Sequence, residues 1–378
     1  MHAKRTAELV SPRSVSSVKK RLVYLDQSFL SDMCFRGECT TSKPILERLF
    51  SKLQILKAMS KIALVVSDIH CRETSDFPWQ YADRMEKLWQ FQNSLAEGRI
   101  AANWAEVFVA QHRRMLSERD SYSYPVADIR LGDPRQMNNG IRIVMTNSWM
   151  LRIHHDNVAT SEEMDIRYRE IIDRQAENIP RCDGVADCHD YIRGLWRADI
   201  QSGIAAWRQR RDFELSFEQL GESPNAESLA SLTWPDLRSN PLLGVIRNVI
   251  SGLDGREAVQ KWLDLLESDP IGPCPSLRIR AAIEAELLWD RHEGKRRSSS
   301  RFSESFGRSR QNDIDHVSAF VPYVDALTTD KDMHNLCMRK VVGEEIRRFS
   351  CKMFSAKNYD EFEQWLEELL PESNPSNQ

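Results

Sequence analysis

The amino-acid sequence predicts an α/β protein whose parallel central sheet is interrupted by a large, mostly α-helical insertion. Short apolar runs without polar alternation, at residues 22–25 and 62–66, are typical of strands buried on both faces of a parallel sheet. A helical pattern of apolar residues lies between them at 44–59, and this strand–helix–strand order indicates a parallel α/β unit. The rhythm stops near residue 77 and returns only near residue 308.

Polar residues follow the first two predicted strands directly. The first strand ends abruptly at Asp26, and the second is followed by Ser67 and Asp68. From about residue 77 to 290 the apolar spacing is mostly helical. Most of the tryptophans lie in this part of the chain, where we expect them to pack between helices.

The last part of the chain returns to alternating helices and strands. A helix is predicted to begin at Asp313, and the short β-prone run at 326–329 leads into Asp330. The closing elements are a helix at 333–348, a strand at 351–354 and a helix whose apolar face spans 362–370. The predicted organisation is a flexible basic leader at 1–20, a sheet domain split between 21–76 and 308–372, the helical insertion at 77–307 and a tail at 373–378.

Composition limits the classes of function. The chain has 378 residues, 41% of them hydrophobic, which is ordinary for a soluble globular protein. No apolar run approaches the roughly 20 residues that span a bilayer, and the N-terminus lacks an apolar signal core, so we expect a cytoplasmic protein without a membrane partner. The net charge of −4 argues against nucleic-acid binding over the whole surface.

A local basic segment is the exception to this charge balance. It precedes the predicted helix at Asp313 and contains serines and one acidic residue, Glu304. We interpret it either as a solvated loop or as a nucleic-acid-binding loop, because Lys and Arg neutralise backbone phosphates. The basic residues concerned are Lys295, Arg296, Arg297, Arg301, Arg308 and Arg310.

Acidic residues after the predicted strands indicate a metal site. Ligands of open parallel sheets bind beyond the carboxyl ends of the strands, so Asp26, Asp68 and Asp330 could converge at one edge although they are far apart in sequence. Clustered carboxylates repel one another unless a cation neutralises them, and Mg²⁺ and Mn²⁺ prefer such hard oxygen ligands. A cation held in this way supports phosphodiester hydrolysis. The sequence has no glycine-rich phosphate loop that would favour a nucleoside-triphosphate enzyme.

Four segments resemble motifs of the PIN-domain nucleases, in particular bacterial PIN-like proteins with large insertions. Residues 25–30 (LDQSFL) resemble the opening motif, an Asp at a strand end with a hydroxyl nearby. Residues 67–74 (SDIHCRET) resemble the segment that supplies the second acid, and 315–319 (DHVSA) the helix that supplies the third. Residues 328–333 (TTDKDM) resemble the closing motif. The resemblance covers roughly 20–76 and 308–370.

The resemblance implies a Rossmann-like PIN domain that uses Mg²⁺ or Mn²⁺ to cleave RNA. It implies that four acids are catalytic and bind the metal or its water: Asp26, Glu73, Asp315 and Asp330. It also implies supporting hydroxyls at Ser28 and Thr328.

Several neighbouring residues remain alternatives or additions to this set. Asp325, at the start of the third predicted strand, would replace or supplement one metal ligand, and Glu106 is the main rival to Glu73. Asp313 is less favoured than Asp315, because Asp315 has the better spacing to Ala319. His70 and His316 flank two of the acids, and we interpret them as side chains that position neighbouring loops rather than as general bases.

Three functions are compatible with these residues. The first is a metal-dependent endoribonuclease, as a toxin or anti-phage defence effector, in which the helical insertion would select RNA, sense a trigger, or bind a regulatory protein or a second copy of the chain. The second is a structure-specific DNA nuclease on a related fold. The third is a PIN-like interaction protein that has lost activity, although an unused acidic cluster would reduce stability.

Overall fold

A computed structural model describes residues 20–38, 43–75, 81–101, 104–116, 182–220, 255–268, 271–272, 274–297, 308–355 and 358–371. Within these residues, the strands form one five-stranded sheet whose neighbouring strands are all parallel, in the order β3-β2-β1-β4-β5. The predicted α/β class and parallel central sheet are therefore confirmed. The strands are β1 (Arg21–Tyr24), β2 (Ile62–Ser67), β3 (Ile100–Ala101), β4 (Ala326–Thr329) and β5 (Lys352–Ser355).

Helices cover both faces of the sheet, and a short 3₁₀ turn (Arg36–Glu38) follows the first of them. The helices of the first half are α1 (Gln27–Cys34), α2 (Lys43–Ala58), α3 (Asp68–Ser75), α4 (Ala82–Ala96), α5 (Trp104–Leu116) and α6 (Val185–Leu220). Those of the second half are α7 (Gly255–Ser268), α8 (Pro275–Arg297), α9 (Arg308–Phe320), α10 (Lys331–Cys337), α11 (Lys340–Ile346) and α12 (Tyr359–Leu369). The single helix predicted at 333–348 is thus two helices, because Arg339 has an extended backbone and caps the second.

The strand order creates a switch point between β1 and β4. From β1 the chain moves outward through β2 and β3, and it then returns to the other side of β1 to form β4 and β5. Val23 of β1 pairs with Ala326 of β4, so the two strands are neighbours although some 300 residues separate them. The chain leaves these two strands in opposite directions, which opens a crevice at their carboxyl ends.

Alternating side chains of the strands build two apolar layers. Leu22 and Tyr24 of β1 pack on one face with α8 and α9, and Tyr24 stacks on Phe320 with ring centroids 4.5 Å apart. Val23 and Leu25 pack on the other face with α1, α2, α4 and α12. Both faces of β1 are buried, as expected for a central parallel strand.

The segment predicted as an insertion at 77–307 contributes to this sheet domain. β3 pairs with β2 as an edge strand, with Val66 opposite Ile100. Helix α8 lies on one face of the sheet, with Ile279 and Ile283 fully buried in that layer. The boundary at residue 77 differs from the structure because β3 is only two residues long, too short to give a recognisable apolar run.

The predicted leader and tail lie outside the described residues, apart from Lys20. None of the helices in the described ranges contains a stretch that is long and apolar enough to cross a membrane.

Candidate functional site

Two aspartates stand at the carboxyl ends of the central strands and cap the helices that follow. Asp26 comes just after β1, and its Oδ1 accepts a hydrogen bond from the Phe29 backbone N–H at 3.1 Å. Asp330 directly follows β4, and its Oδ1 accepts from the Met333 backbone N–H at 2.6 Å. Because β1 and β4 are adjacent, this shared capping geometry places both carboxylates at the switch point.

Two hydroxyls hold the Asp26 carboxylate in place. Ser28 Oγ donates to Asp26 Oδ2 at 2.8 Å, and Thr328 Oγ1 donates to Asp26 Oδ1 at 3.2 Å. Thr328 Oγ1 also accepts from the Asp26 backbone N–H at 3.0 Å, so this side chain joins the ends of β1 and β4. The structure therefore places both hydroxyls that the sequence singled out on the same carboxylate.

Asp313 of α9 is the third acid of the cluster. The pKa of Asp313 is raised to about 8, first by burial and then by the nearby carboxylates of Asp330, Asp26 and Glu73, against the lowering effect of Arg310. Burial also raises the pKa of Asp26 to about 6, with a smaller contribution from Asp330. The acids that the fold brings together are Asp26, Glu73, Asp313 and Asp330, which we call the acidic cluster.

Asp315, which the sequence comparison with PIN motifs favoured over Asp313, points elsewhere. Its carboxylate forms a largely buried ion pair with Arg280 of α8, and Arg280 also contacts Glu284 at 2.9 Å. Residues two apart on a helix project from nearly opposite sides, so α9 cannot present both acids to one site. The structure thus places Asp313, and not the expected Asp315, near the other three acids, because Asp315 lies on the side of α9 that contacts α8.

Asp325 lies at the opposite edge of the sheet from the acidic cluster. It precedes β4, where its carboxylate accepts from Arg21 Nη1 at 2.6 Å and from the Leu22 backbone N–H at 2.8 Å. Asp325 and Asp330 are the two ends of one strand, roughly 16 Å apart at about 3.3 Å per residue. Asp325 therefore joins the amino ends of β1 and β4 and does not supplement the ligand set.

The second acid of the cluster is Glu73, whose position depends on a buried polar network. Asn312 Nδ2 donates to Glu73 Oε1 at 3.0 Å. The neighbouring Thr74 accepts from Gln27 Nε2 at 2.7 Å, and Gln92 Nε2 donates to Gln27 Oε1 at 2.6 Å. This network ties α3 to α1 and α4. The rival residue Glu106 is exposed on α5.

His70 supports the loop that carries Asp26. Its Nδ1 accepts from the Ser67 backbone N–H at 2.9 Å, so Nε2 carries the proton and donates to the Leu25 carbonyl at 2.7 Å. Burial lowers the pKa of His70 to about 4. The ring packs 5.2 Å from that of His316. A neutral, fully buried imidazole with these partners positions the end of β1, as expected from the sequence.

Arg310 is the one member of the predicted basic segment whose side chain the structure describes. It faces the acidic cluster: its Nη1 lies 3.8 Å from both Asp313 Oδ2 and Asp330 Oδ1, and its Nη2 lies 3.9 Å from Asp332 Oδ2. The other side chains of the segment lie outside the described residues: Lys295, Arg296, Arg297, Arg301 and Arg308.

The chemistry of the cluster fits a hard divalent cation. All four acids offer carboxylate oxygens, which Mg²⁺ and Mn²⁺ prefer. Burial first, and neighbouring carboxylates second, raise the pKa of Asp26 and Asp313, so a bound cation would favour their ionised forms. Within the described ranges, no three His, Cys, Asp or Glu side chains are close enough together to hold one ion. The carboxylates would therefore have to draw together around a cation.

The raised pKa values predict an unusual pH dependence of stability when no divalent cation is present. In the unfolded chain both carboxyls lose their protons near the ordinary value of 3.8, whereas in the folded protein Asp26 keeps its proton to about 6 and Asp313 to about 8. The folded state binds more protons than the unfolded state in this window. The stabilisation of the folded state by the protonated Asp26 and Asp313 is therefore complete below about pH 4 and is lost as the pH rises through about 8.

The measurement is the melting temperature in chelator between about pH 5 and 9. Asp313→Asn should flatten the upper part of this slope, since that substitution removes the group with the higher pKa. Saturating Mn²⁺ should reduce the slope in the unsubstituted protein, because cations bind the deprotonated carboxylates. An identical slope in Asp313→Asn would show that Asp313 does not titrate in this range.

No family model, no curated protein and no solved structure matches the chain.

Proposed function

We propose that this protein is a Mg²⁺- or Mn²⁺-dependent nuclease with a PIN-like domain and that it hydrolyses phosphodiester bonds of RNA. The observation that carries the proposal is the convergence of Asp26, Glu73, Asp313 and Asp330 at the switch point of a parallel sheet. These residues come from four separate elements, and their mutual repulsion is unfavourable unless a cation is bound there. The resemblance of the strand-end motifs to PIN nucleases supports the same conclusion.

Neighbouring residues of the chain orient the acids of such a site. Asp26 accepts from Ser28, Thr328 and the Phe29 backbone, which fixes its orientation and leaves an acceptor position on Oδ2. Asp330 is fixed by its cap on α10, and Asn312 fixes Glu73. When bound, the cation would polarise a phosphoryl oxygen and lower the pKa of a water molecule. The carboxylates, drawn together around the cation, would then orient that water.

RNA as substrate and a role as toxin or defence effector follow from the resemblance to PIN nucleases. A cytoplasmic location and a regulatory protein partner, or a second copy of the chain, at the helices between β3 and α9 belong to the same proposal. The same proposal includes the basic segment Lys295–Arg310, whose Lys and Arg side chains would bind RNA phosphates. Their positive charge would attract a polymer that the acidic cluster alone would repel.

A second candidate is a PIN-like interaction protein without activity. The observation that favours it is Arg310, a positive charge beside Asp313 and Asp330. In such a protein Arg310 would neutralise the acids in place of a cation at all times, and the cluster would hold α9 and α10 against the sheet.

The test is an incubation of the purified full chain with end-labelled single-stranded RNA and, separately, DNA, with Mn²⁺ or with chelator. Asp26→Asn is the site variant, because Asn still caps α1. Asp83→Asn, an exposed acid in the first turn of α4, makes the same chemical change away from the cluster. The proposal expects RNA cleavage with Mn²⁺ that chelator and Asp26→Asn both abolish and Asp83→Asn preserves.

Other outcomes select between the candidates. Cleavage of DNA without RNA would indicate the structure-specific DNA nuclease instead. No cleavage of either polymer, together with no Mn²⁺ binding in a calorimetric titration, would favour the inactive interaction protein. Cleavage that survives both chelator and Asp26→Asn would exclude the acidic cluster as the active site.

A further inference from the structure

Arg310 is held at the acidic cluster more loosely than several other arginines in the described part of the chain are held by their partners. Arg48, for example, contacts Glu363 through Nε and Nη2, each at 2.9 Å, which is the usual two-bond geometry of a guanidinium with a carboxylate. Arg310 lies beyond hydrogen-bond distance of all three carboxylates that it faces. Electrostatic attraction, and not directional bonding, therefore holds this side chain.

The burial of the guanidinium makes this geometry informative. The Arg310 side chain is 19% exposed. Among the residues that the structure describes, its buried Nη1 atom has no hydrogen-bond partner. A buried donor usually forms hydrogen bonds, since leaving it without one is unfavourable. Nη1 instead lies at an equal distance of 3.8 Å from an oxygen of Asp313 and an oxygen of Asp330, so that one positive charge lies between the two carboxyl groups.

We propose that the Arg310 guanidinium is an internal counter-ion. It occupies the place of the divalent cation between Asp313 and Asp330 in the metal-free protein, and it moves away when the cation binds. The inference rests on the proposed function, since it needs the acidic cluster to bind a metal. It differs from the inactive alternative because the arginine is exchangeable: it forms no directional bond to these acids that the cation would have to break.

A variant that lacks the Arg310 charge should differ from the unsubstituted protein in two ways. Without a cation the variant should be less stable, because its acids are less neutralised. With a cation it should bind more tightly than the unsubstituted protein, in which binding has to displace the positive charge of Arg310. Stability and metal affinity therefore change in opposite directions, which a purely structural arginine would not cause.

The experiment is a calorimetric titration of the full chain with Mn²⁺ alone, without nucleic acid. Arg310→Gln and Arg310→Met remove the charge, and Met keeps the length of the apolar part of the side chain. Arg310→Lys retains the charge. Arg84→Gln removes a charge from an exposed surface pair with Glu38 and is the matched control. We expect the Mn²⁺ dissociation constant to fall about tenfold in both charge-removing variants and to stay near the unsubstituted value in Arg310→Lys and Arg84→Gln.

Melting temperatures give a second readout. Both charge-removing variants should melt lower than the unsubstituted protein in chelator, and Mn²⁺ should raise their melting temperature by more, because stabilisation grows with affinity. If a variant is unfolded in chelator, Mn²⁺ should restore its folding, and failure to do so would overturn the inference.

The outcomes separate this inference from the proposed function. If the unsubstituted protein binds Mn²⁺ but the charge-removing variants bind it equally or more weakly, Arg310 is not a competing counter-ion, and the metal site stands. If neither the unsubstituted protein nor these variants bind Mn²⁺, both the metal site and the inference fail.

Discussion

Asp313→Asn is expected to lower the rate of Mn²⁺-dependent RNA cleavage by about a hundredfold, the scale for losing one group that contributes to electrostatic stabilisation at the reacting centre. The carboxylate faces Asp330, Asp26 and Glu73, so the amide would remove one of the few charges available to a cation. The same substitution should raise the melting temperature in chelator, because burial and repulsion by its neighbours disfavour the ionised Asp313. A loss of cleavage in a protein that has become more stable cannot be attributed to unfolding.

Asp315→Asn is the matched control for this prediction, two residues away on the same helix. It leaves the acidic cluster unchanged but weakens the ion pair with Arg280, so we expect cleavage close to the unsubstituted rate and a lower melting temperature. The measurements are single-turnover cleavage of labelled RNA and thermal melting of both variants. The opposite pattern, with cleavage lost only in Asp315→Asn, would restore the ligand set that the PIN motifs imply.

The largest effect on stability is expected from Arg280→Met. Arg280 side chain is 10% exposed and Asp315 16%, so the ion pair between α8 and α9 is removed from water. Arg280 also contacts Glu284 and lies over the ring of Trp196 at 5.3 Å from its centroid. Removing the arginine leaves two largely buried carboxylates without their cation, and the free energy of unfolding should fall by about 3–5 kcal/mol.

Equilibrium urea unfolding measures this change. The control is Arg84→Gln, because Arg84 and Glu38 form an ion pair at 2.7 Å with side chains 46% and 53% exposed. A pair so accessible to water should contribute less than about 1 kcal/mol. Adding Asp315→Asn to Arg280→Met should recover part of the loss, since it removes one of the uncompensated charges. Equal effects of Arg280→Met and Arg84→Gln would show that burial does not strengthen the pair between α8 and α9.

The strands and the strand-end acids could be predicted because their signals are local. Apolar runs without alternation located β1 and β2, and the helix between them has its buried leucines at the predicted spacing. Asp26 and Asp330 directly follow such runs, and the rule that carboxyl ends of parallel strands share one edge brought them together. The hydroxyls at Ser28 and Thr328 are close to these acids in sequence, and both contact Asp26.

The choice between Asp313 and Asp315 could not be made from motif spacing, because it depends on which side of α9 faces the sheet. The apolar pattern does not decide it either, because Asp313 lies four residues before the fully buried Val317 and Asp315 lies four residues before the fully buried Ala319. Residues at this spacing share a helix face, so both acids lie beside buried side chains. Only the packing of α9 against α8 and the sheet decides which acid joins the cluster.

By itself, the sequence determined the α/β class, the parallel sheet and the positions of Asp26 and Asp330, because hydrophobic periodicity and helix capping act over a few neighbouring residues. Only the tertiary structure decided that Asp313 completes the acidic cluster, that Arg310 faces it, and that Asp315 pairs with Arg280. These roles depend on the packing of α8 and α9 against each other and against the sheet. Residues far apart in the chain determine that packing, so no local pattern specifies which charges meet.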